Sequence, residues 1–318
     1  MANPKKIRIL FALVGAFLIC LRAPALSQQL NQIHIGVPTN TVTWFPLYVA
    51  WKKGIFQEQG IEMLPVTMSV RASLGALASR HISYITPLGS SMTAIANGLP
   101  AKVIMIFAVR SHHVLVSKRE IVAPSALRGH GVAISQPGGT VHRQFLKILE
   151  HYKVDPKDVK MINLGEMPNR ALALKAGTID AAMLSVPYDL FMEKDGFGPI
   201  AYLKDILEFP LLGLIAHDER IRERPDEVKK VLTAALKGIA YTKTHREEVL
   251  PLLKQFVGLP TVDMTRKTYD VIKELWPDNG IPSDKGLAIA MSMADVPPNF
   301  PAAKMVDWSL VREAAKSR

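Results

Sequence analysis

At 318 residues the chain is longer than the roughly 250–300 over which one hydrophobic core keeps growing, so two lobes are expected in place of a single core. Hydrophobic residues make up 48% and charged residues 21%, with no long polar stretch, which excludes a disordered chain. Setting aside the cations Lys5, Lys6, Arg8 and Arg22 takes the net charge from +11 to +7, and the scattered basic residues left over lack the interleaved aromatics of a nucleic-acid groove.

That remaining charge reads as a solvated basic surface with a mild attraction for anionic ligands or membrane. The first element in the chain is a leader. Lys5, Lys6 and Arg8 precede the uncharged run Ile9–Leu21, followed by Ala23-Pro24-Ala25 and Ser27, the order of a secretory signal over residues 1–27. The run is 13 residues long against the about 20 needed to span a bilayer, although an uncleaved N-terminal anchor is an alternative. Cys20 lies too deep in the apolar run to be a lipid attachment site. As the only cysteine, it leaves the processed chain without disulfides, thiol nucleophiles or Cys-ligated metals.

After the leader, Ile33–Val37 alternates and is β-branched, as strands are, and Pro38-Thr39-Asn40-Thr41 breaks it. Phe45–Gln59 has helical spacing and ends at Gly60. A helix over Ser73–Arg80, a strand over Ile82–Thr86, the loop Pro87–Ser91, a helix over Met92–Asn97 and a strand over Val103–Val109 follow. From Ser125 the pattern restarts: a short helix to Arg128, a strand over Gly131–Ser135, the loop Gln136–Thr140 and a helix over Val141–His151. Val159–Asn163 and Ile179–Leu184 are strands around a helix over Asn169–Ala176, and Pro187 opens a further helix in its first turn. Leu211–Ala216 is the last strand, and Pro225–Lys316 is helical, with breaks at 258–260, 277–280 and 297–298.

Alternating strands and helices imply an α/β fold with largely parallel sheets. The expected lobes are 28–115 with 213–318, and 116–212, the chain crossing between them near Ser111–Ser117 and Pro210–Ala216. Leu77–Thr86 and Leu174–Met183 align as a helix end running into a strand in each lobe, which suggests like construction.

No P-loop, HExxH, nucleophile elbow or zinc pattern occurs, so no catalytic residue, metal or cofactor is assigned. Gly196–Ala201 imitates a dinucleotide fingerprint, but Pro199 and the lack of a strand-to-helix turn rule it out. Small and hydroxylated residues instead gather in loops that follow strands and open helices: Thr39 and Asn40; Gly89, Ser90 and Ser91; Gly138, Gly139 and Thr140; Ser185 and Tyr188. Ligands of open α/β sheets bind at that edge, and backbone N–H groups there suit anions, although Ser, Thr and Gly are equally common as plain caps and turns. Trp44 and Tyr188 are candidate aromatic walls, with a hydrophobic staple the other reading of Trp44. His113 is a candidate anion donor near the crossing. A hydrogen-bonded hinge histidine fits as well, and adjacent His112 and His113 point apart in a strand, against joint metal binding.

Ile35-Gly36, Phe45–Ala50, Lys53-Gly54-Ile55-Phe56 and Gln59-Gly60-Ile61, then Ser125–Gly129 before Val132-Ala133-Ile134, and Ala176–Ala182, resemble periplasmic binding proteins of the nitrate/sulfonate/taurine type. That group includes proteins similar to the yeast thiamine-pyrimidine synthase. The resemblance runs from about Ile33 to Leu275. It implies a type II two-lobed fold that closes on a small anionic or heteroaromatic ligand such as a sulfonate, nitrate or thiamine-pyrimidine precursor. It also implies a periplasmic location, ABC permease and ATPase partners, a monomer, and no chemistry by the binding protein itself. A pyrimidine-precursor enzyme or a receptor-coupled sensor with the same fold is the alternative. Arg80 stands where the family usually has glycine, which puts a left-handed turn there in question, and a chain without cysteine after the leader lacks the synthase's cysteine-rich metal motif.

Overall fold

Ten strands form two five-stranded sheets in the computed structural model, which describes residues 30–38 and 40–316. The expected leader and Thr39 lie outside the described residues. The first sheet contains β1 (Asn31–Val37), β2 (Ile61–Thr67), β3 (Tyr84–Pro87), β4 (Ala101–Ala108) and β10 (Leu212–His217), in the order β2-β1-β3-β10-β4. The second contains β5 (His113–Lys118), β6 (Gly131–Ile134), β7 (Lys160–Asn163), β8 (Ala181–Ser185) and β9 (Phe197–Tyr202), in the order β7-β6-β8-β5-β9. Each sheet has a parallel trio, and each admits one antiparallel strand that arrives from the other sheet: β10 beside β3 and β4, β5 beside β8 and β9. The two sheets therefore share one topology.

The likeness reaches single residues. In both sheets the helix before the third strand ends on the same pair of backbone bonds, Arg80 N to Leu77 O with His81 N to Ala76 O, and Gly177 N to Leu174 O with Thr178 N to Ala173 O. Gly177 holds φ 70 and Arg80 holds φ 62, so arginine takes the left-handed position despite its Cβ. The doubt that the sequence raised there is removed: the turn is made, at the conformational cost of a non-glycine residue in that region.

Both faces of each sheet are covered, as parallel strands require. In the first, Ile33, Ile35 and Phe107 meet the aromatic group Phe45, Tyr48, Phe256 and Trp276, and Ile85, Val103 and Ile215 pack on the other side with Leu88 and Met92. In the second, Leu115, Val132 and Met183 pack on Phe145 and Ile148, and Val116, Ala133 and Leu184 on Leu174 and Met192. The carboxyl-terminal helices bury Val228, Leu232, Leu236 and Leu253 against the first sheet's core.

The chain enters the second sheet at His113 and the first again at Leu212, so the expected crossing at Ser111–Ser117 shrinks to residues 109–112. His113–Lys118 pairs along its length with β8 and β9, a partnership that a short apolar segment does not announce in sequence. The two crossing segments lie side by side, with Phe209 N bonded to Val109 O and Leu211 N to Ala108 O, each 2.9 Å. The described residues from Asn31 onward form one compact unit.

Candidate functional site

The loops that leave β1, β3, β6, β7 and β8 contribute to two cavities beside the paired crossing segments. The first, of about 240 Å³, is lined by Pro38, Met68, Pro87–Ser90, Phe209–Leu212, Ala290 and Met293 with Thr140 from across the gap. The second, of about 280 Å³, joins Asn40, Thr41, Val42 and Gly258 to His112, Met167, Ser185, Tyr188 and Phe191. Pro38 lines one and Asn40 the other.

Of the expected residues, Gly89, Ser90 and Thr140 meet in the first cavity, and Asn40, Ser185 and Tyr188 in the second. Gly138 and Gly139 shape the loop before Thr140 without lining either of these two cavities. Gly138 holds φ 77, and a Cβ on Gly139 would come within 3.1 Å of Gln136 O, so glycine is favoured at both positions of that tight turn. Ser91 and Trp44 are not brought to the site. The expected loop Pro87–Ser91 is already helix from Leu88, because Pro87 caps it, and the buried Ser91 hydroxyl donates back to Pro87 O at 2.6 Å. Trp44 is 2% exposed and packs edge-on to Phe256 at 4.8 Å, in the core rather than on a wall.

His113 lines neither cavity, unlike its neighbour His112, and Ser111 Oγ is 3.0 Å from its Nδ1. Ser111 Oγ also lies 3.2 Å from Gln144 Oε1 and accepts from the His113 backbone N–H. At 1% exposure this hydroxyl is a structural link, not a reachable nucleophile. His112 lines the second cavity, and its Nδ1 is enclosed without a partner, as is Gln144 Nε2. Burial pulls the His112 pKa down to about 4, and burial, then His112, then Arg170 hold His113 well below its ordinary value, so both rings are neutral near pH 7. The two rings lie 4.6 Å apart.

Sequence reasoning missed Arg170. It is 4% exposed, and its guanidinium is held by backbone carbonyls, Nε donating to Met183 O at 2.7 Å and a terminal N–H to Gly165 O. Burial lowers its pKa against the pull of Glu166, but an arginine stays charged at neutral pH. A signal existed: Arg170, Ala171 and Leu174 share the buried stripe of their helix, where an arginine is costly without a purpose. The nearby carboxylate of Asp189 is turned inward onto Tyr202 Oη at 2.6 Å. The site thus combines a buried cation, a buried carboxyl, neutral nitrogen groups and hydroxyls with an apolar annex, an arrangement able to hold an anion or a polar heterocycle. Among the described residues, no group of three or more His, Cys, Asp or Glu could hold a metal ion.

The family model described as "NMT1/THI5 like" matches residues 41–249, well over half of the chain. The chain belongs to the NMT1/THI5-like family. YtlA of Bacillus subtilis, which carries a binding-protein name, is 26% identical over 251 residues, 75% of each chain. The taurine-binding periplasmic protein of Escherichia coli is 33% identical over 124 residues, 38% of each. The periplasmic sulfonate-binding protein SsuA of Methylobacillus flagellatus superposes with a TM-score of 0.72 at 16% identity, over 91% of this chain and 95% of that one. The fold is therefore that of the periplasmic binding proteins, and this NMT1/THI5-like protein is a substrate-binding protein.

Proposed function

We propose that the protein captures a small organic anion in the gap between its two sheets and delivers it, outside the cytoplasm, to an ABC permease and its ATPase. The single observation carrying this reading is the second cavity. Residues of both sheets wall it, His112 Nδ1 is enclosed there without a partner, and the buried Arg170 guanidinium acts on the neighbouring His113 ring. A ligand touching both sides favours the closed arrangement, and the paired segments 109–112 and 207–211 are the natural hinge. The sheets then correspond to two lobes, residues 30–108 with 212–316, and 113–206.

The first cavity is lined chiefly by apolar side chains, which fits an anion that carries a hydrocarbon portion better than a bare inorganic ion. An export leader over residues 1–27 and a monomeric state complete the proposal, as does the absence of catalysis. Among the described residues, no helix is long and apolar enough to cross a membrane.

A thermal-shift panel of taurine, longer alkanesulfonates, nitrate and pyrimidines tests this. A stabilising ligand at a hundredfold excess over its Kd adds about 2.7 kcal/mol, a rise of several degrees. Alkanesulfonates are expected to give the largest rise. Stabilisation by pyrimidines alone overturns the anion reading, and turnover of a panel compound without stabilisation overturns binding as the function.

A further inference from the structure

Arg143 occupies the second residue pattern that joins the two sides of the gap, away from the hinge. It lies one turn into the helix Thr140–His151, whose Phe145, Ile148 and Leu149 belong to the second sheet's core. Its guanidinium makes four hydrogen bonds: Nε to Gly138 O at 2.7 Å, one terminal nitrogen to Met293 O at 3.2 Å and Asp295 Oδ1 at 2.8 Å, and the other to Asp295 Oδ2 at 2.7 Å. The pairing with Asp295 is the bidentate fork that arginine and carboxylate favour.

Met293 ends the helix Asp284–Met293, and Ala290, Ala294 and Val296 around it belong to the first sheet's core. The Met293 carbonyl is one of those that a helix end leaves unpaired, and the negative end of the helix dipole favours a cation there. Asp295 holds φ 53, a left-handed conformation that costs a non-glycine residue energy, and its carboxylate is engaged by Arg143 in that position. The same helix packs Ile289 and Met293 against the second sheet's core, so this is an apolar seam between the two sides with a charged clasp at its end.

We propose that Arg143 is a positioning residue for ligand capture. It ties the Gly138-Gly139-Thr140 loop of the second lobe to Asp295 and Met293 of the first, so closing the gap adds three bonds to those that hold the loop within its own lobe, such as Gly138 N–H to His142 Nδ1 at 2.9 Å, and fixes its binding shape. Opening the gap breaks three of the four bonds at once and leaves Gly138 O held by a guanidinium that has lost its anchor. This rests on the reading that Thr140 lines the ligand site, and it adds that closure and loop order are one event.

The test needs no ligand, so a failed ligand panel leaves its result independent. Spin labels on Asn97→Cys and Ser125→Cys, in a chain with Cys20→Ser, report the distance between lobes, since Cys20 is the only native cysteine. Amide exchange at Gly138, Gly139 and Thr140 reports the loop. In the native background a closed population is expected at low salt. Arg143→Gln and Asp295→Asn should each shift it roughly two- to fivefold toward open and speed loop exchange by a like factor, both effects fading in 1 M salt. The double variant should add nothing further, and the swap Arg143→Asp with Asp295→Arg should recover part of the closed population. Asp295→Asn removes a largely exposed carboxylate and keeps the test clear of misfolding. A change in distance without a change in loop exchange, the reverse, or no change in either variant overturns the proposal.

Discussion

Lowering the pH from 8 to 5 should cost the protein about 2 kcal/mol of stability through His112 alone. The ring sits against the second cavity with Nδ1 enclosed and unpartnered, and burial brings its pKa from 6.5 to about 4. A group whose folded pKa is depressed in this way stays neutral in the fold while the unfolded chain takes up a proton. Its full stability is present above pH 6.5, declines below that value, and levels off near pH 4, where the folded ring is protonated as well. At about 1.4 kcal/mol for each tenfold change in proton affinity, the ceiling is about 3 kcal/mol, and about 2 kcal/mol of it is gone by pH 5. His113 acts in the same direction, while Asp189, its carboxyl raised by burial, takes up a proton in the fold first and so opposes the loss. Urea denaturation followed by tryptophan fluorescence, at pH 8 and pH 5, on the native protein and on His112→Gln, isolates the one ring. The variant should lose about 2 kcal/mol less between the two pH values. Equal losses in both would refute the claim that His112 is a buried neutral base, and with it the reasoning that the cavity floor holds uncharged nitrogen groups.

Arg170→Gln should weaken binding of whichever sulfonate the thermal panel selects by about 1.5–3 kcal/mol, or about ten- to over a hundredfold in Kd by titration calorimetry; an unchanged Kd removes Arg170 from the site. Gly238→Ala should destabilise by about 1–3 kcal/mol, seen as a lower melting temperature. Its Cβ would come within 2.7 Å of both Ala50 Cβ and Pro46 O, where the helices Phe45–Lys52 and Pro225–Thr244 press together. A neutral result would show that the contact has slack. Arg80→Gly relieves about 1–2 kcal/mol of left-handed strain and adds about 0.5–1 kcal/mol of chain entropy cost, so its melting temperature should hold or rise slightly. A marked fall would mean that the exposed pair with Glu219 matters more than such pairs usually do.

The alternation of strands and helices and the carboxyl-edge loops could be seen in the residues, because each depends on local signals: periodicity, glycine and proline placement, and β-branching, whereas both expected crossings, Ser111–Ser117 and Pro210–Ala216, proved to be mostly strand. What escaped depends on partners distant in sequence. Nothing in the segment His113–Lys118 says that β8 and β9 will flank it, and that choice decides to which side His113 belongs. Ser91 looked like a ligand hydroxyl, yet one helical turn back lies a carbonyl that uses it. Arg170 shows the converse. Its place on a buried stripe was visible, but an arginine there becomes meaningful only once the fold brings Met183 O and Gly165 O to it. Local chemistry thus nominates loops, while the fold decides which of their groups are already satisfied, and a ligand can be recognised only by those that are not. On that criterion the strongest claims belong to His112 Nδ1 and Gln144 Nε2, and Asp189 Oδ1 shares their unmet state. A ligand that bound through Ser90 and Thr140 alone, indifferent to all three, would show that exposure outweighs unmet hydrogen-bonding capacity in this cleft.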